Sequence, residues 1–458
     1  MKKFLFIVAF FILLSPVSGE LVRFSVFGFD LLPADILLPI LFVVWGLYKF
    51  PISNFQFPNK LQVTSYKLRI GGIGKAILVF IWVAVLSLLL NSIRFPMSEM
   101  ARATAYFVRL AMYMGLYFVV YDLSFHPVYH GRSESARNMS RFRNKFGMTW
   151  YVWIVVLAAF LLSILGFLQL KYFPSFLDIG LDLQGWDPHD YRLLSTWFDP
   201  NYVAGFLAFA IGLLGTLFFY YRERWVRAIL CGLGAILIVA LYLTYSRSGY
   251  LALAAVLFVW TLFRSRRLLI GLFIFFVVGM LFSARFQERV GSAWYSGVAL
   301  IGLDSQYALD PTAELRVRSW QHAIEIIQDH PWIGAGYNRY PFEVTQRGYL
   351  SMDSHAVGGS DSSLLTIWAT TGIFGLLAYL GIFVIAAQRC IIFIRKRYPE
   401  GEDIYPRLQG IGMLAASVGL LIHSVFVNSL LLPWMMIYLW SGLGALEAAD
   451  DSSHGLRN

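Results

Sequence analysis

Arg247 stands in Tyr-Ser-Arg-Ser-Gly-Tyr, residues 245–250, between two apolar runs with almost nothing else separating them. The run that follows, 250–263, would rise about 21 Å as a helix against a hydrocarbon layer about 30 Å thick, so the turn dips below a membrane surface. An arginine held there is costly to desolvate. It either snorkels its head to water or keeps a permanent anion, and a guanidinium can grip two phosphate oxygens at once. A second arginine comes with its own helix. Asp310 and Pro311 supply an N-cap and a first-turn proline, and residues 312–329 read as a helix that stops before His330 and Pro331. Its apolar stripe is Trp320, Ala323, Ile324 and Ile327. Arg316, four residues before Trp320, shares that face, whereas Arg318 lies about 200° round from Trp320 and reads as a solvated charge. In the turn that follows, residues 332–337, Gly334 and Gly336 either offer backbone amides to a phosphate or serve the folding of the loop, and the folding role is the simpler reading.

The elements that must position these groups follow from composition. With 58% hydrophobic and 14% charged residues over 458 positions, the chain is expected to be an all-α polytopic membrane protein, with no soluble core required. Apolar runs lie near residues 4–19, 30–48, 74–90, 103–122, 149–170, 201–220, 228–244, 250–263, 268–283, 363–386, 408–427 and 429–447. Threaded alternately, these twelve spans put most Lys and Arg into the N-terminus, the loops 49–73, 123–148, 221–227, 264–267 and 387–407, and the C-terminus. The positive-inside rule makes that face cytoplasmic. Arg192, Arg247 and the long loop 284–362 then share the outer face. Lys2 and Lys3, an apolar stretch and Pro-Val-Ser-Gly at 16–19 also fit a cleaved signal peptide, an alternative that leaves the arginines on the same side.

The net charge of +10 belongs to this topology and to anionic lipid headgroups, met by the basic loop 123–148, and not to nucleic acid. Cys231 and Cys390 form no disulfide framework, zinc spacing or nucleophile motif. Arg102 and Arg109 fall on one face of the fourth span, where they line a crevice or pair with carboxylates. No internal repeat is visible, which speaks against a transporter built of two halves.

Four segments then carry a resemblance. Arg192-Leu-Leu-Ser-Thr-Trp-Phe-Asp-Pro-Asn201 precedes a span and Ser246-Arg-Ser-Gly249 lies between spans. Arg316-x-x-x-Trp320 comes with His330-Pro-Trp-Ile-Gly-Ala-Gly336, and Asp361-Ser-Ser-Leu-Leu leads to Thr371-Gly-Ile-Phe-Gly375. In order and topology, over roughly residues 150–450, the chain resembles the O-antigen ligase and O-antigen polymerase superfamily. The resemblance implies a C-type glycosyltransferase fold and transfer of a glycan from an undecaprenyl-pyrophosphate carrier to a glycan or lipid acceptor hydroxyl. It further implies inversion at the anomeric carbon, no metal or other cofactor, and a site on the periplasmic face of the bacterial inner membrane. Arg192, Arg247, Arg316 and Asn201 match positions that contact the pyrophosphate or its sugar. Ligases of the superfamily carry a His-Asn pair where this chain has Asp361; an aspartate there is more like the polymerases.

Glycosyl transfer from a pyrophosphate needs charge stabilisation on the leaving group and a partner for the acceptor proton. The arginines suit the first task. Asp361 or His355 suits the second; the alternatives are a helix cap for Asp361, which precedes a helix, and a solvated loop position for His355. The organisation expected is therefore spans 1–9 over residues 1–283, an external loop over 284–362, and spans 10–12 with a tail over 363–458. Gly372 and Gly375 are expected to let helices pack closely. A lipid-linked glycan flippase would instead need charge along a whole translocation path, and a non-catalytic scaffold would leave Arg247 without a purpose.

Overall fold

Each of the twelve apolar runs contains a helix in the computed structural model, which describes residues 2–26, 29–49, 70–124, 134–177, 180, 189–300, 311–351, 355–398 and 404–454. The helices are α1 (Lys2–Leu14), α2 (Pro33–Lys49), α3 (Gly72–Leu90), α4 (Met97–Ser124), α5 (Glu134–Tyr172), α6 (Pro200–Tyr220), α7 (Arg224–Leu243), α8 (Arg247–Phe263), α9 (Arg267–Phe282), α10 (Ala284–Leu300), α11 (Pro311–Asp329), α12 (Tyr340–Gln346), α13 (Ser363–Arg395), α14 (Tyr405–Phe426) and α15 (Pro433–His454). One departure from an all-α chain is a short antiparallel hairpin, β1 (Phe24–Val26) and β2 (Phe29–Leu31), with Phe24 opposite Leu31. The chain is a multi-pass membrane protein of helices.

Twelve spans is more than the helices support. Among the described residues seven are long and apolar enough to cross a bilayer: α3, α4, residues 149–172 of α5, α6, α7, α13 and α14. An eighth is possible only if α9 and the start of α10 count together, and these are bent by 112° at Ser283. α8 is one of the short ones, which agrees with the shallow turn expected at Arg247. Part of the basic loop 123–148 lies outside the described residues, and from Glu134 onward the backbone is already helical rather than loop. Pro16 and Val17 accept hydrogen bonds from Trp197 Nε1 and Thr196 Oγ1, both at 2.7 Å, so the segment after α1 is stitched into the packed fold.

The core is built around α6, buried almost without interruption from Val203 to Leu217 and packed between α8 and α14. Gly212 lets the two backbones approach, since a Cβ there would meet the Ala416 nitrogen at 3.0 Å. At the other extreme, α9 buries only Gly279, and Phe273 and Phe282 remain 69% and 82% exposed, as befits side chains whose neighbours are lipid tails.

α13 is broken at Gly372, which adopts φ 69° and ψ −175° inside the helix and lies hard against the Trp332 backbone. The break frees carbonyls, and the loop after α11 takes them. Ala335 N donates to Ala369 O at 2.9 Å and Gly336 N to Thr370 O at 3.1 Å, while Ile373 N donates back to Pro331 O at 2.9 Å. The amides of the glycine turn are thus spent on folding. Gly334, at φ 77°, lies against residues 370–372, where any side chain would collide with backbone. A small second core of Ala323, Ile326, Ile327, Tyr340 and Val344 fixes α11 and α12 onto this junction. Ile324, expected in the buried stripe, is 43% exposed, and Ile326 takes its place.

Candidate functional site

Three helix N-termini define one end of the bundle, each capped by a side chain. Asp199, with Pro200 behind it, accepts from Asn201 N at 2.6 Å and Tyr202 N at 3.2 Å to start α6. Ser246 accepts from Gly249 N at 3.3 Å to start α8. Ser362 accepts from Leu365 N at 3.4 Å to start α13, so the cap is Ser362 and the Asp361 carboxylate is left for other work. The first two termini are tied together, because Ser246 Oγ donates to Asn201 Oδ1 at 2.9 Å. Converging N-termini aim their partial positive charges at one place and favour an anion there.

Arg192 joins the same knot. Its side chain is nearly buried, at 9% exposed; Nε donates to Thr244 O at 2.8 Å and a terminal nitrogen to Asn201 Oδ1 at 3.4 Å. Leu193 N also donates to Leu243 O at 2.9 Å, which docks the whole Arg192 strand on the end of α7. Arg192 and Asn201 therefore position each other and the turns around them. Arg247, half-buried at the first position of α8, donates to Ser292 Oγ on α10 at 3.2 Å. Arg289, one turn earlier on α10, lies with Arg192 within charge range of Tyr250. Farther along α10, Arg285 stacks 4.7 Å over the Tyr245 ring and donates to Tyr191 O at 3.1 Å.

The second half of the site forms where α11 meets the mouth of α13. Ser319 Oγ accepts from Asp361 N at 3.0 Å, and Trp320 Nε1 donates to Asp361 O at 3.4 Å, so α11 clamps the backbone and leaves the carboxylate facing out. Arg316, one turn back on α11, is half-buried, whereas Arg318 is exposed and paired with Glu314 at 2.6 Å, as the helix periodicity required. Surrounding protein crowds water away from Asp361 and raises its carboxyl above the usual aspartate range; Arg316 pulls it back and Asp199 adds to the rise. Tyr202 feels both Asp199 and Asp361, and the buried His423 of α14 feels Asp199 and Arg316 while holding Ser429 Oγ at 3.1 Å. Asp199 is the hinge between the halves.

The structure therefore brings together Arg192, Asn201, Arg316 and Asp361, with Arg247 on the adjoining turn. His355 opens a single 3₁₀ turn, His355–Gly358, and its side chain lies outside the described residues. Asp199, Arg289 and His423 were not singled out by sequence. Asp199 sits inside the quoted segment before α6 and announces itself as a cap ahead of proline. His423 is a lone imidazole in an apolar span, the placement that flags function or a buried hydrogen bond. Arg109 pairs with a carboxylate: it grips Asp35 at 2.9 and 2.6 Å, with the Tyr113 hydroxyl on the same carboxylate at 3.0 Å. Among the described residues no group of three or more His, Cys, Asp or Glu is placed to hold a metal ion.

None of the curated proteins matches the chain significantly. A family model described as O-antigen ligase matches residues 232–380, from α7 to α13, and so takes in Arg247, Arg316, Asp361 and the break at Gly372. Over this third of the chain the protein is similar to the O-antigen ligase family.

Proposed function

We propose that this membrane protein transfers a glycan from an undecaprenyl-pyrophosphate-linked donor to an acceptor hydroxyl on the periplasmic face of the bacterial inner membrane, polymerising O-antigen or exopolysaccharide repeat units. A ligase or polymerase role follows from the family; the finer reading rests on one observation, the convergence of Arg316 and Asp361 on the Asp199 turn beside Arg192 and Arg247. The acceptor oxygen attacks the anomeric carbon and gives its proton to Asp361. The bond from that carbon to the pyrophosphate oxygen breaks, and the oxygen leaves with the electron pair. Arginines and helix N-termini meet the charge that develops there, a duty that asks for no bound cation. Attack opposite the leaving group inverts the anomeric centre. The carboxyl's affinity for protons, raised above that of an ordinary aspartate by the protein packed round it, suits it to accept one.

The test is glycan chain length in a deletion strain, with carrier-linked intermediates resolved from finished polymer. Arg247→Ala, Arg316→Ala and Asp361→Ala complements should each lose about a hundredfold or more of the product at normal membrane abundance. Arg318→Ala should behave as wild type. Accumulated single repeat units mean polymerisation; accumulated long carrier-linked chains would replace it with ligation. Unchanged glycans would remove the transferase reading altogether.

A further inference from the structure

A cavity of about 170 Å³ opens between α4, the start of α13 and the 428–436 segment, and Tyr340 in its wall lies within charge range of Asp361. Its chemistry differs from that of the arginine cluster. Tyr106, Tyr337 and Tyr340 supply aromatic faces, and Asn338, Thr366 and Asn428 supply amides and a hydroxyl. The one cation in the wall, Arg109, is gripped on two nitrogens by Asp35, so the cavity presents no net charge to a phosphate. Asn428 lines the cavity, and its Oδ1 is enclosed by protein with no hydrogen-bond partner among the described residues, so a small turn of this amide would offer a ligand hydroxyl an acceptor. Asn338 holds φ 58°, a conformation asparagine tolerates better than most residues.

Aromatic faces with a few amides and no free charge describe a pocket for a neutral saccharide. The cavity is also joined to the chemistry: Gly358 and Thr366 line it and stand on either side of Asp361 in the chain, and Thr366 Oγ1 accepts from Ser360 N at 2.9 Å. We infer that this cavity binds the terminal sugar of the acceptor glycan and presents its hydroxyl to Asp361, while the carrier pyrophosphate occupies the arginine half. The inference rests on the transferase reading for the word acceptor; a saccharide site stands without it.

Gly358 offers a probe, because it lines the cavity and a Cβ there meets no atom within 4 Å, so a side chain can start from it without collision; Gly358→Leu adds bulk at the cavity wall. Full-length protein in lipid nanodiscs would be titrated with two ligands. One is a panel of free glucose, galactose, mannose, rhamnose and N-acetylglucosamine, followed by saturation-transfer NMR. The other is sugar-free undecaprenyl pyrophosphate, followed by retention on the nanodisc. Gly358→Leu and Asn428→Ala should weaken sugar binding about tenfold or more and leave carrier retention intact. Arg316→Ala should do the reverse, and sugar and carrier should bind wild type together. No sugar signal in wild type, or a signal that survives Gly358→Leu, overturns the saccharide site, and competition between sugar and carrier overturns its assignment to the acceptor. Wild type that binds sugar but not carrier would instead count against the transferase reading alone.

Discussion

Asp361 is held in a state that costs folding free energy. Its carboxyl is raised chiefly by crowding of protein around it, so the folded chain binds that proton more tightly than the unfolded chain does. A carboxyl with a raised folded value adds stability only below its unfolded value, and that contribution is lost as pH rises through the folded one. At neutral pH the ionised group is therefore a burden, of the kind active sites tolerate. Asp361→Asn should raise the melting temperature at pH 7 while abolishing transfer, with no such gain at pH 3, as a thermal scan of the detergent-solubilised protein at both values would show; a lower melting temperature at pH 7 would mean that the carboxylate supports the fold. The inward face of Arg316 was legible because a helix fixes it by counting residues. The role of Asp361 was less so. Sequence offered it as a helix cap, but the cap falls one residue later on Ser362, because the extended backbone at Ser362, φ −153° and ψ 121°, decides the cap and the side-chain type only permits it. Arg192, marked for the substrate, also donates to Thr244 O and to Asn201, one of them 52 residues away, which no local pattern announces.

Among the elements, α13 shows what periodicity can and cannot reveal. Its apolar run was visible; its break was not, because Gly372 in Thr-Thr-Gly-Ile reads equally as a packing glycine. What decides is the loop that docks on it: a Cβ at Gly372 would strike the Trp332 backbone, and φ 69° is strained for any other residue. Gly372→Ala should cost about 1–3 kcal/mol in strain before the collision is counted. Gly381, farther along α13, has open space at its Cβ position, so Gly381→Ala should be tolerated. Comparing the two by fluorescence-detected melting and size-exclusion profile checks this, and equal stability would show that the break is dispensable. α9 and α10 carry the same lesson, since an apolar run ending at Ser283 gave no sign that the next helix turns through 112° to bring Arg285, Arg289 and Ser292 over the site.

At the scale of the molecule, composition was decisive for class and misleading for count. Helices such as α8 are apolar but short, and α9 bends into α10, so runs of hydrophobic residues outnumber the helices able to cross by themselves. Sidedness is open to direct measurement. In a background with Cys231 and Cys390 replaced, a cysteine at Glu314, exposed on α11, should react with an impermeant maleimide in intact spheroplasts. One at Glu223, exposed ahead of α7, should react only after lysis. The reverse pattern would put the arginine cluster on the cytoplasmic side. The junction between the 331–336 loop and the broken α13 also sets what can be exchanged between relatives. Three backbone hydrogen bonds join the 331–336 loop to the first third of α13, so loop and helix form one inheritable module. A chimera that swaps the loop alone separates partners shaped for each other, and the natural seams lie before α11 and after the second half of α13. Divergence of this region in such a chain must then proceed by side-chain change within the module rather than by grafting its surface.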